Sequence, residues 1–372
     1  MERELKMPRV SVILPVHNGM PYLPRAVESI LGQTFQDWEL IVIDDASTDT
    51  TAEYLAGLTD RRVRVIRNQQ NLGVARTLNK ALPLAAGKYI ARQDADDVSL
   101  PQRLEKQVSF LDQHRDVALL GTNWSMIDEK GSVILRSTQV PNSDIDIKWG
   151  LLFHCCIVHP SVMLRPEVLA VVGCYPEATE FCYAEDYELW CRIAKNHRTA
   201  ALPEALVHWR LNSACVTIRH DRAQLEQVAQ ISHAYVRWIM GANPVDRQGC
   251  EAVRVLFRSR AGTDPQLPPA RLRAGVAFLD ALQAAFYGKH GFTPAEIGAH
   301  RRHWYWIWGK HLLALSLRTR AGMATRAMLF ALGTRYMLRI PAAALPIGVL
   351  HPPARAKESA QATAPSAMSP PL

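Results

Sequence analysis

The stretch Arg9-Val-Ser-Val-Ile-Leu-Pro-Val16 is an almost unbroken apolar run that is rich in β-branched residues. Such a run is typical of a strand that is buried on both faces of a parallel sheet. Apolar residues then recur at helical spacing over 26–31, and a second apolar run, Glu39-Leu-Ile-Val-Ile43, leads through a polar turn into a helical stretch over 50–58. The order strand, helix, strand, helix predicts an α/β fold.

The same alternation continues for two more strands. Residues 63–66 predict a third strand, 74–85 a third helix, and 89–91 a fourth strand that ends in an acidic turn. Open α/β sheets bind their ligands outside the carboxyl ends of their strands. Asp44-Asp45 and Asp94-Ala95-Asp96 both follow apolar strands, so they fall at such ends. The sequence therefore predicts a ligand site lined by carboxylates at this edge of the sheet.

The pattern changes in the second half of the chain and divides it into segments. We assign residues 8–217 to the α/β domain. Residues 218–299 predict a helical extension, because apolar residues recur there at helical spacing. Residues 300–340 predict a basic amphipathic helical segment, and 351–372, rich in proline, alanine and serine, predict a disordered tail.

The composition indicates a folded chain. Hydrophobic residues make up 48% of the 372 residues and charged residues 21%, which is globular rather than disordered composition. The acidic first residues do not form a signal peptide, and no apolar run is long enough to span a membrane. We therefore expect the chain to be cytoplasmic, with its seven cysteines reduced.

The acidic turn Asp94-Ala95-Asp96 has the chemistry of a divalent-metal site. Mg²⁺ and Mn²⁺ take oxygen ligands, and one or two carboxylates commonly hold such an ion while water and substrate phosphates complete its shell. A nucleotide diphosphate would supply those phosphates. The alternative is a solvated turn whose acids cap the following helix.

Four segments resemble, in the same order, the successive motifs of family 2 glycosyltransferases. They are Ser11-Val-Ile-Leu-Pro-Val-His-Asn18, Leu31-Gly-Gln-Thr-Phe-Gln-Asp-Trp-Glu-Leu-Ile-Val-Ile-Asp-Asp-Ala-Ser-Thr-Asp49, Asn71-Leu-Gly-Val-Ala-Arg-Thr-Leu-Asn79 and the Asp94 turn. The resemblance covers residues 8–217. It implies the GT-A fold, a mostly parallel central sheet with flanking helices, here followed by a C-terminal helical extension. It also implies inverting transfer from a nucleotide-sugar donor, with a UDP-sugar favoured, and Mg²⁺ or Mn²⁺ as cofactor.

The resemblance assigns roles to residues of the donor half. Pro15 would line the nucleotide base, and Asp45 would accept a hydrogen bond from that base. Asp94 would contact the ribose or the metal, and Asp96 would bind the metal directly. Arg76 would contact the nucleotide. For Asp45 the alternative is a helix cap, and for Arg76 it is an exposed helix arginine.

A second acidic motif, Glu185-Asp186 at the head of a predicted helix, resembles the acceptor-half motif of the family. Inverting transfer needs a base that deprotonates the acceptor hydroxyl as it attacks, and we assign this role to Asp186. The alternative is that both acids only stabilise the first turn of the helix. Arg210 would neutralise phosphate, and Asn212 stands where many members carry a histidine. His159-Pro160-Ser161 resembles a segment that borders the acceptor, with a packed loop as the alternative.

The positive charge of the chain is concentrated near its C-terminus. The formal net charge is +8, and residues 300–340 contain no acid but carry Arg301, Arg302, Lys310, Arg318, Arg320, Arg326, Arg335 and Arg339. Trp304, Trp308 and Leu312 fall at helical spacing among these cations. Tryptophan among basic residues is typical of an interfacial helix on an anionic membrane. The alternative is an ordinary helix that packs on the catalytic domain and leaves its arginines in solvent.

Together these features predict an inverting glycosyltransferase that moves a sugar to a saccharide or polyprenyl-linked acceptor, in the cytoplasm or on the inner face of the cytoplasmic membrane. A sugar-phosphate nucleotidyltransferase shares the architecture, but residues 14–19 contain neither the glycine run nor the lysine that it needs. Nucleic-acid binding is disfavoured, because it leaves the N-terminal motifs without a purpose. A catalytically degenerate scaffold is a further alternative, and the presence of the key carboxylates argues against it.

Overall fold

The computed structural model describes residues 7–136, 141–212, 221–243, 245, 248–251, 253, 269–318 and 323–338. The predicted tail at 351–372 lies outside these residues, and so do Arg320 and Arg339 of the basic segment.

Strands and helices alternate through the first part of the described chain, and helices alone make up the rest. The strands are β1 (Val10–Val16), β2 (Trp38–Asp44), β3 (Val63–Arg67), β4 (Tyr89–Arg92), β5 (Val98–Ser99), β6 (Val117–Ile127), β7 (Val133–Arg136), β8 (Met163–Leu164) and β9 (Arg198–Arg210). The helices are α1 (Leu23–Leu31), α2 (Thr51–Ala56), α3 (Val74–Ala81), α4 (Arg103–Gln113), α5 (Asp144–Gly150), α6 (Pro166–Val172), α7 (Glu185–Asn196), α8 (Asp221–Met240), α9 (Pro269–His290), α10 (Pro294–Arg318) and α11 (Met323–Leu338).

The strands form one sheet in the order β3-β2-β1-β4-β8-β6-β9-β5, with β7 paired to β6. β1 lies parallel to β2 and β4, and β2 lies parallel to β3. Every residue of β1 is buried, as the apolar run predicts for a central parallel strand. The register sets Val16 beside Asp44, so the carboxyl ends of β1 and β2 meet at one edge. The predicted alternation of strands and helices is confirmed.

The second half of the sheet brings distant segments to the same edge. The long strands β6 and β9 are parallel, and antiparallel pairing is confined to partners of the short strands β5, β7 and β8. β5 pairs with β9 so that Val98 lies opposite His208. Because β5 follows the acidic turn directly, this pairing sets the end of β9 beside that turn. The predicted mostly parallel sheet is confirmed, and its topology determines which residues can meet.

The C-terminal helices share a hydrophobic core with the sheet. Trp149 of α5 is 1% exposed, and its ring packs edge-on against Phe286 of α9 and Trp304 of α10, with ring centroids 5.1 and 5.9 Å apart. Leu312 and Leu329 extend the same core into α10 and α11. Burial of such side chains stabilises the folded chain by about 1.5–3 kcal/mol each. The helical extension is therefore part of what holds the α/β region together.

The burial of this core corrects one part of the membrane prediction. Trp304, Trp308 and Leu312 are 9%, 4% and 1% exposed, so the apolar stripe of α10 contacts protein and is not available to a membrane. The cations beside the stripe do reach solvent: Arg301, Arg302 and Lys310 are exposed. Within the described ranges, no helix is both long and apolar enough to cross a bilayer.

Candidate active site

A cleft of about 390 Å³ opens at the carboxyl edge of the sheet. Its walls come from the acidic turn after β4, the loop before β8, the start of α7 and the end of β9. Asp94, Asp96 and Asp186, which lie in two separate motifs of the sequence, all line this cleft. The other lining residues are Val74, Arg92, Cys155, Ile157, Val158, His159, Pro160, Cys182, Tyr183, Glu185, Trp209 and Gln224. The predicted metal-binding acids and the predicted base thus meet in one cavity.

The three carboxylates of the acidic turn have different surroundings. Asp94 pairs with the guanidinium of Arg92. Asp96 is half-buried, and its Oδ2 accepts a hydrogen bond from the side-chain amide of Asn212 at 2.8 Å. Burial and the charge of Asp94 raise the pKa of Asp96 to about 6. Asp97 is buried, and its Oδ1 accepts the backbone N–H of Arg210 at 2.7 Å, so Asp97 ties the turn to the end of β9.

Asp94 and Asp96 fit the predicted divalent cation. Two neighbouring carboxylates line the cleft, and a cation between them would relieve the repulsion that contributes to the raised pKa of Asp96. In the described part of the chain, no three His, Cys, Asp or Glu side chains are grouped as a complete metal site. The residues present therefore amount to a partial ligand set, which Mg²⁺ and Mn²⁺ usually complete with water and substrate phosphates.

Arg92, the last residue of β4, is a site residue to which the sequence argument gave no role. It is 4% exposed, lines the cleft and pairs with Asp94, and its Nε has no hydrogen-bond partner among the described residues. Burial disfavours its charge, but Asp94 favours it, and the net effect raises the pKa of Arg92. An arginine inside an otherwise apolar strand is the signal that could have identified it, because buried charges need partners.

The two acids at the start of α7 face the cleft. Asp186 Oδ1 accepts the backbone N–H of Tyr187 at 2.7 Å, and Oδ2 accepts the thiol of Cys155 with an S···O distance of 3.7 Å. Burial, followed by the charge of Asp186, raises the pKa of Cys155 well above its usual range, so the sulfur remains a thiol that can donate. Cys155 lines the cleft and is only partly buried, whereas cysteine is usually fully buried.

Glu185 and Asp186 differ in protonation. Burial and the charge of Asp186 raise the pKa of Glu185 to about 8, whereas burial raises the pKa of Asp186 only to about 6. Near neutral pH, Glu185 is therefore held largely as the acid and Asp186 is ionised. Environments that push the pKa values of two neighbouring acids apart assign them different roles. The group able to accept a proton here is Asp186.

His159 closes the cleft behind Glu185. Its Nε2 lies 2.9 Å from the hydroxyl of Tyr175, and its Nδ1 lies 3.9 Å from Glu185. Burial and the nearby Arg92 guanidinium lower the pKa of His159 well below its usual range, so the ring is neutral. His159 and Pro160 line the cleft, and Pro160 and Ser161 are buried as a packed loop would be. That the segment borders the acceptor stays a prediction.

Comparison with known proteins shows which family this chain belongs to. Residues 11–169 match the family model described as glycosyl transferase family 2. The chain is 31% identical over 264 residues to an uncharacterized glycosyltransferase of Haemophilus influenzae, which covers 67% of this chain and 80% of the relative. It is also 31% identical over 193 residues to WfgD of Escherichia coli, named UDP-Glc:alpha-D-GlcNAc-diphosphoundecaprenol beta-1,3-glucosyltransferase, which covers 52% of this chain and 72% of that protein.

The chain belongs to glycosyl transferase family 2. Among solved structures, residues 1–349 of S. aureus TarS in complex with UDP-GlcNAc share the fold, with a TM-score of 0.53 and 18% identity over 90% of this chain and 93% of that one. The predicted GT-A fold is confirmed. Asp186 and Arg210 lie beyond the residues matched by the family model, so their roles rest on the geometry of the cleft.

In this family 2 chain, the carboxylate of Asp45 accepts hydrogen bonds from the segment that precedes α3. Its Oδ1 accepts hydrogen bonds from the Asn68 amide at 2.7 Å and from the N–H of Leu72 at 2.9 Å, and its Oδ2 accepts the N–H of Gly73 at 2.9 Å. Gly73 is the N-cap residue of α3, with a φ of 82° that favours glycine. Asp45 therefore fixes the entry to α3. The cap of α2 is not its role, because Asp49 accepts the N–H of Thr51 there.

Replacing Asp45 with alanine should lower the free energy of unfolding by roughly 3 kcal/mol, because three donors lose a buried acceptor. Asp45→Asn keeps one acceptor oxygen and should cost clearly less. Urea unfolding followed by circular dichroism measures both variants. An Asp45→Ala protein as stable as the wild type would contradict this structural role.

The remaining predicted nucleotide residues lie outside the lining of the cleft. Pro15 is buried in β1 opposite Ile43. Arg76 is exposed on α3, where its Nε lies 3.6 Å from Glu177, as the alternative of an exposed helix arginine describes. The structure does not bring either side chain into the cavity with Asp94 and Asp186, and their predicted contacts with nucleotide stay predictions.

Arg210 stabilises the backbone of the acidic turn through hydrogen bonds. Its Nε donates to the carbonyl of Asp96 at 2.7 Å, and its Nη1 donates to the carbonyls of Asp128 and Glu129 at 2.8 and 3.1 Å. The guanidinium also lies over the ring of Tyr22, 4.7 Å from its centroid. Nε and Nη1 thus donate to backbone carbonyls, and Arg210 does not line the cleft, so its predicted neutralisation of phosphate stays a prediction. Asn212, by contrast, does reach the predicted metal ligand Asp96.

Proposed function

We propose that this chain is an inverting glycosyltransferase that transfers a sugar from a nucleotide-diphosphate donor to a saccharide or polyprenyl-linked acceptor. The observation that carries the proposal is that Asp94 and Asp96 line the same cleft as Asp186. Displacement at an anomeric carbon needs stabilisation of the leaving diphosphate and a base for the attacking hydroxyl, and these two groups of acids have the chemistry for each.

Asp186 would act as the base. It takes the proton of the acceptor hydroxyl as that oxygen bonds to the anomeric carbon, while the bond to the nucleotide diphosphate breaks on the opposite face. A single displacement of this kind inverts the anomeric carbon. The Tyr187 N–H and the Cys155 thiol each donate to one oxygen of Asp186 and so orient the carboxylate toward the cleft.

Asp94 and Asp96 would hold Mg²⁺ or Mn²⁺ together with the donor diphosphate. When bound, the cation neutralises charge that develops on the leaving phosphates. Asn212 donates to Asp96 and fixes its rotamer, and Asp97 and Arg210 hold the turn on β9. Arg92 adds a buried positive charge between the acidic turn and Glu185, which favours an anionic substrate group beside it.

The donor and the acceptor are suggested by a relative rather than by the cleft. WfgD of Escherichia coli is named as acting from UDP-Glc on a diphosphoundecaprenol-linked sugar, and it shares 31% identity with this chain over 193 residues. This similarity favours a UDP-sugar donor and a lipid-linked acceptor. A degenerate scaffold is disfavoured, since Asp94, Asp96 and Asp186 are all retained and share the cleft.

A panel of UDP-, dTDP- and GDP-sugars, each with Mg²⁺ or Mn²⁺, tests the proposal. The full chain should hydrolyse one class of donor slowly, or gain thermal stability with it, only when metal is present. A chain that responds to none of these donors in either metal would overturn the function as an active transferase.

We propose further that the chain works at the cytoplasmic face of an anionic membrane, held there by exposed cations of α10. Each cation near such a surface contributes on the order of 1 kcal/mol. Replacing Arg301, Arg302 and Lys310 with glutamine should therefore weaken co-sedimentation with anionic vesicles by about 100-fold at low salt. The apolar stripe of α10 is left intact by these changes, so the core stays packed.

The matched control replaces three exposed arginines of the α/β region, Arg61, Arg64 and Arg115, with glutamine. It removes the same charge and should keep most of the vesicle binding. Equal losses in the two triple variants would show that net charge alone, and not the surface of α10, governs the association.

A further inference from the structure

A separate cavity, of about 380 Å³, lies where the helical extension meets the α/β region. Its walls come from α5, the end of α7, the start of β9 and the turn between α9 and α10. Six of its lining residues are lysine, arginine or histidine: Lys148, Lys195, His197, Arg198, Lys289 and His290. None of its lining residues lines the catalytic cleft.

This cavity is remote from the catalytic acids. Asp186 lies in the first turn of α7, and Lys195 lies in the last. The helix has 12 residues, which gives a length of about 18 Å. A donor diphosphate bound at the acidic turn therefore does not reach the cavity, and the two sites are independent.

Two of its cations have their charge matched by acids, and two do not. Lys148 is 6% exposed and lies 3.0 Å from Asp144, and Arg198 lies 3.4 Å from Glu296. Lys195 and Lys289 form no ion pair among the described residues. Both ammonium groups instead lie over the ring of Trp238, 5.7 and 4.9 Å from its centroid. Two uncompensated positive charges are thus held at one aromatic ring.

The two acids of the cavity are paired with Lys148 and Arg198 and are held in place by further hydrogen bonds. Asp144 Oδ1 accepts the N–H and the hydroxyl of Thr199 at 2.8 and 3.0 Å. Glu296 Oε2 accepts the N–H and the hydroxyl of Thr293 at 2.8 and 2.7 Å, which caps the start of α10. What remains facing the cavity is an excess of positive charge.

The two histidines carry unused hydrogen-bonding capacity. Nε2 of His197 and Nε2 of His290 are buried and have no hydrogen-bond partner among the described residues. Buried polar atoms are ordinarily paired, so two in one cavity indicate a missing partner. Burial, with the charges of Lys148 and Lys289, lowers the pKa of His290 to about 3. The ring is therefore neutral, and it can still donate an N–H to an oxyanion.

Helix dipoles explain only part of this arrangement. Basic residues at the C-terminal ends of α7 and α9 are favourable for each helix separately. The dipole accounts neither for the convergence of both helix ends on one cavity nor for the buried Lys148 between them. It also leaves the two histidine nitrogens without partners.

We propose that this cavity binds a phosphate group, carried either by a soluble phosphorylated molecule or by a phospholipid headgroup. Two ammonium groups without acid partners match a group with two negative charges. The volume admits a substituted phosphate as well as the bare ion. The site lies outside the donor and acceptor cleft, so it goes beyond the proposed transferase function.

The test is calorimetric titration of the full chain with inorganic pyrophosphate in buffer containing EDTA, so that no metal assists binding at the acidic turn. Wild type should bind, and Lys195→Gln with Lys289→Gln should weaken binding by about tenfold or more, because two charge-assisted contacts are lost. Glutamine removes the charge and keeps a polar side chain. The matched control, Arg64→Gln with Lys130→Gln, removes the same charge from two exposed residues elsewhere and should bind like wild type.

Vesicles distinguish the two sources of phosphate. If the Lys195 and Lys289 variant also loses co-sedimentation with phosphatidic acid vesicles, relative to phosphatidylcholine, the group is a lipid headgroup; if it loses only pyrophosphate, the group is soluble. Either result supports the site. Absence of pyrophosphate binding by wild type, or an equal loss in the control variant, would overturn it. Metal-dependent UDP binding, measured on the same proteins, reports separately on the catalytic cleft.

Discussion

Replacing Asp186 with asparagine is expected to lower kcat by about 10²- to 10⁴-fold and to leave donor and metal affinity close to wild type. Asparagine preserves the size of the side chain and the oxygen that accepts the Tyr187 N–H, but it cannot take a proton from the acceptor. Steady-state kinetics with the donor identified from the panel measure kcat. Calorimetry of the nucleotide measures the affinity separately.

Glu188→Gln is the matched control for this variant. Glu188 belongs to the same first turn of α7, but its side chain pairs with Arg192 and does not line the cleft. Loss of an acid from a helix start costs up to about 1 kcal/mol of stability at either position. If helix stabilisation were the only role of Asp186, the two variants would show the same modest loss of activity.

Asp186→Asn should also change the pH profile of the reaction. A base must be ionised to act, and burial raises the pKa of Asp186 to about 6, so kcat/KM should fall as the pH decreases through about 6. The residual activity of Asp186→Asn should lack this acid limb. The product, examined by NMR, should show an inverted anomeric centre. A retained configuration, or an unchanged limb in the variant, would show that Asp186 is not the base.

The parts of this fold that were predictable are those that each segment encodes in its own residues. The apolar run of β1 predicts a buried parallel strand, and every residue in it is buried. The meeting of Asp44 with the end of β1 follows because parallel strands share a carboxyl edge. No knowledge of distant contacts was needed for either prediction.

The role of Arg210 was not predictable in this way, because it depends on which strands pair. The antiparallel pairing of β5 with β9 sets Arg210 behind the acidic turn, where it bonds to the carbonyls of Asp96 and Asp128. The motif identifies an arginine near the site, but the pairing determines which way it faces. The same holds for Asp45, whose partners Leu72 and Gly73 lie 27 and 28 residues further along the chain.

The basic helix α10 shows a third limit on what the sequence can predict. An amphipathic helix must cover its apolar face, and the sequence of α10 is compatible with either a membrane or a protein surface. Trp149, which packs against the ring of Trp304, lies in a segment far from it in sequence. Since the periodicity of one helix contains no information about its partner, the tryptophans alone could not show that their rings pack on protein.

The second large effect is expected at Asp96, where asparagine should abolish the metal dependence of nucleotide binding. The side chain lines the cleft beside Asp94, and the change removes the charge of the carboxylate proposed to bind the cation directly, leaving Asp94 alone to hold it together with the phosphates. Calorimetry of UDP with and without Mn²⁺ should show a metal-dependent gain in wild type and less than about a tenth of that gain in the variant.

The stability of the Asp96→Asn protein is the internal control for this loss. Asparagine can still accept the hydrogen bond from Asn212, and it removes one of three carboxylates that lie close together in the turn. Thermal unfolding should therefore occur at the wild-type temperature or above it, so that lost binding is not lost folding. Asp116→Asn, at an exposed acid outside the cleft, should keep the full metal dependence. An Asp96→Asn protein that still gains affinity with Mn²⁺ would remove Asp96 from the metal site.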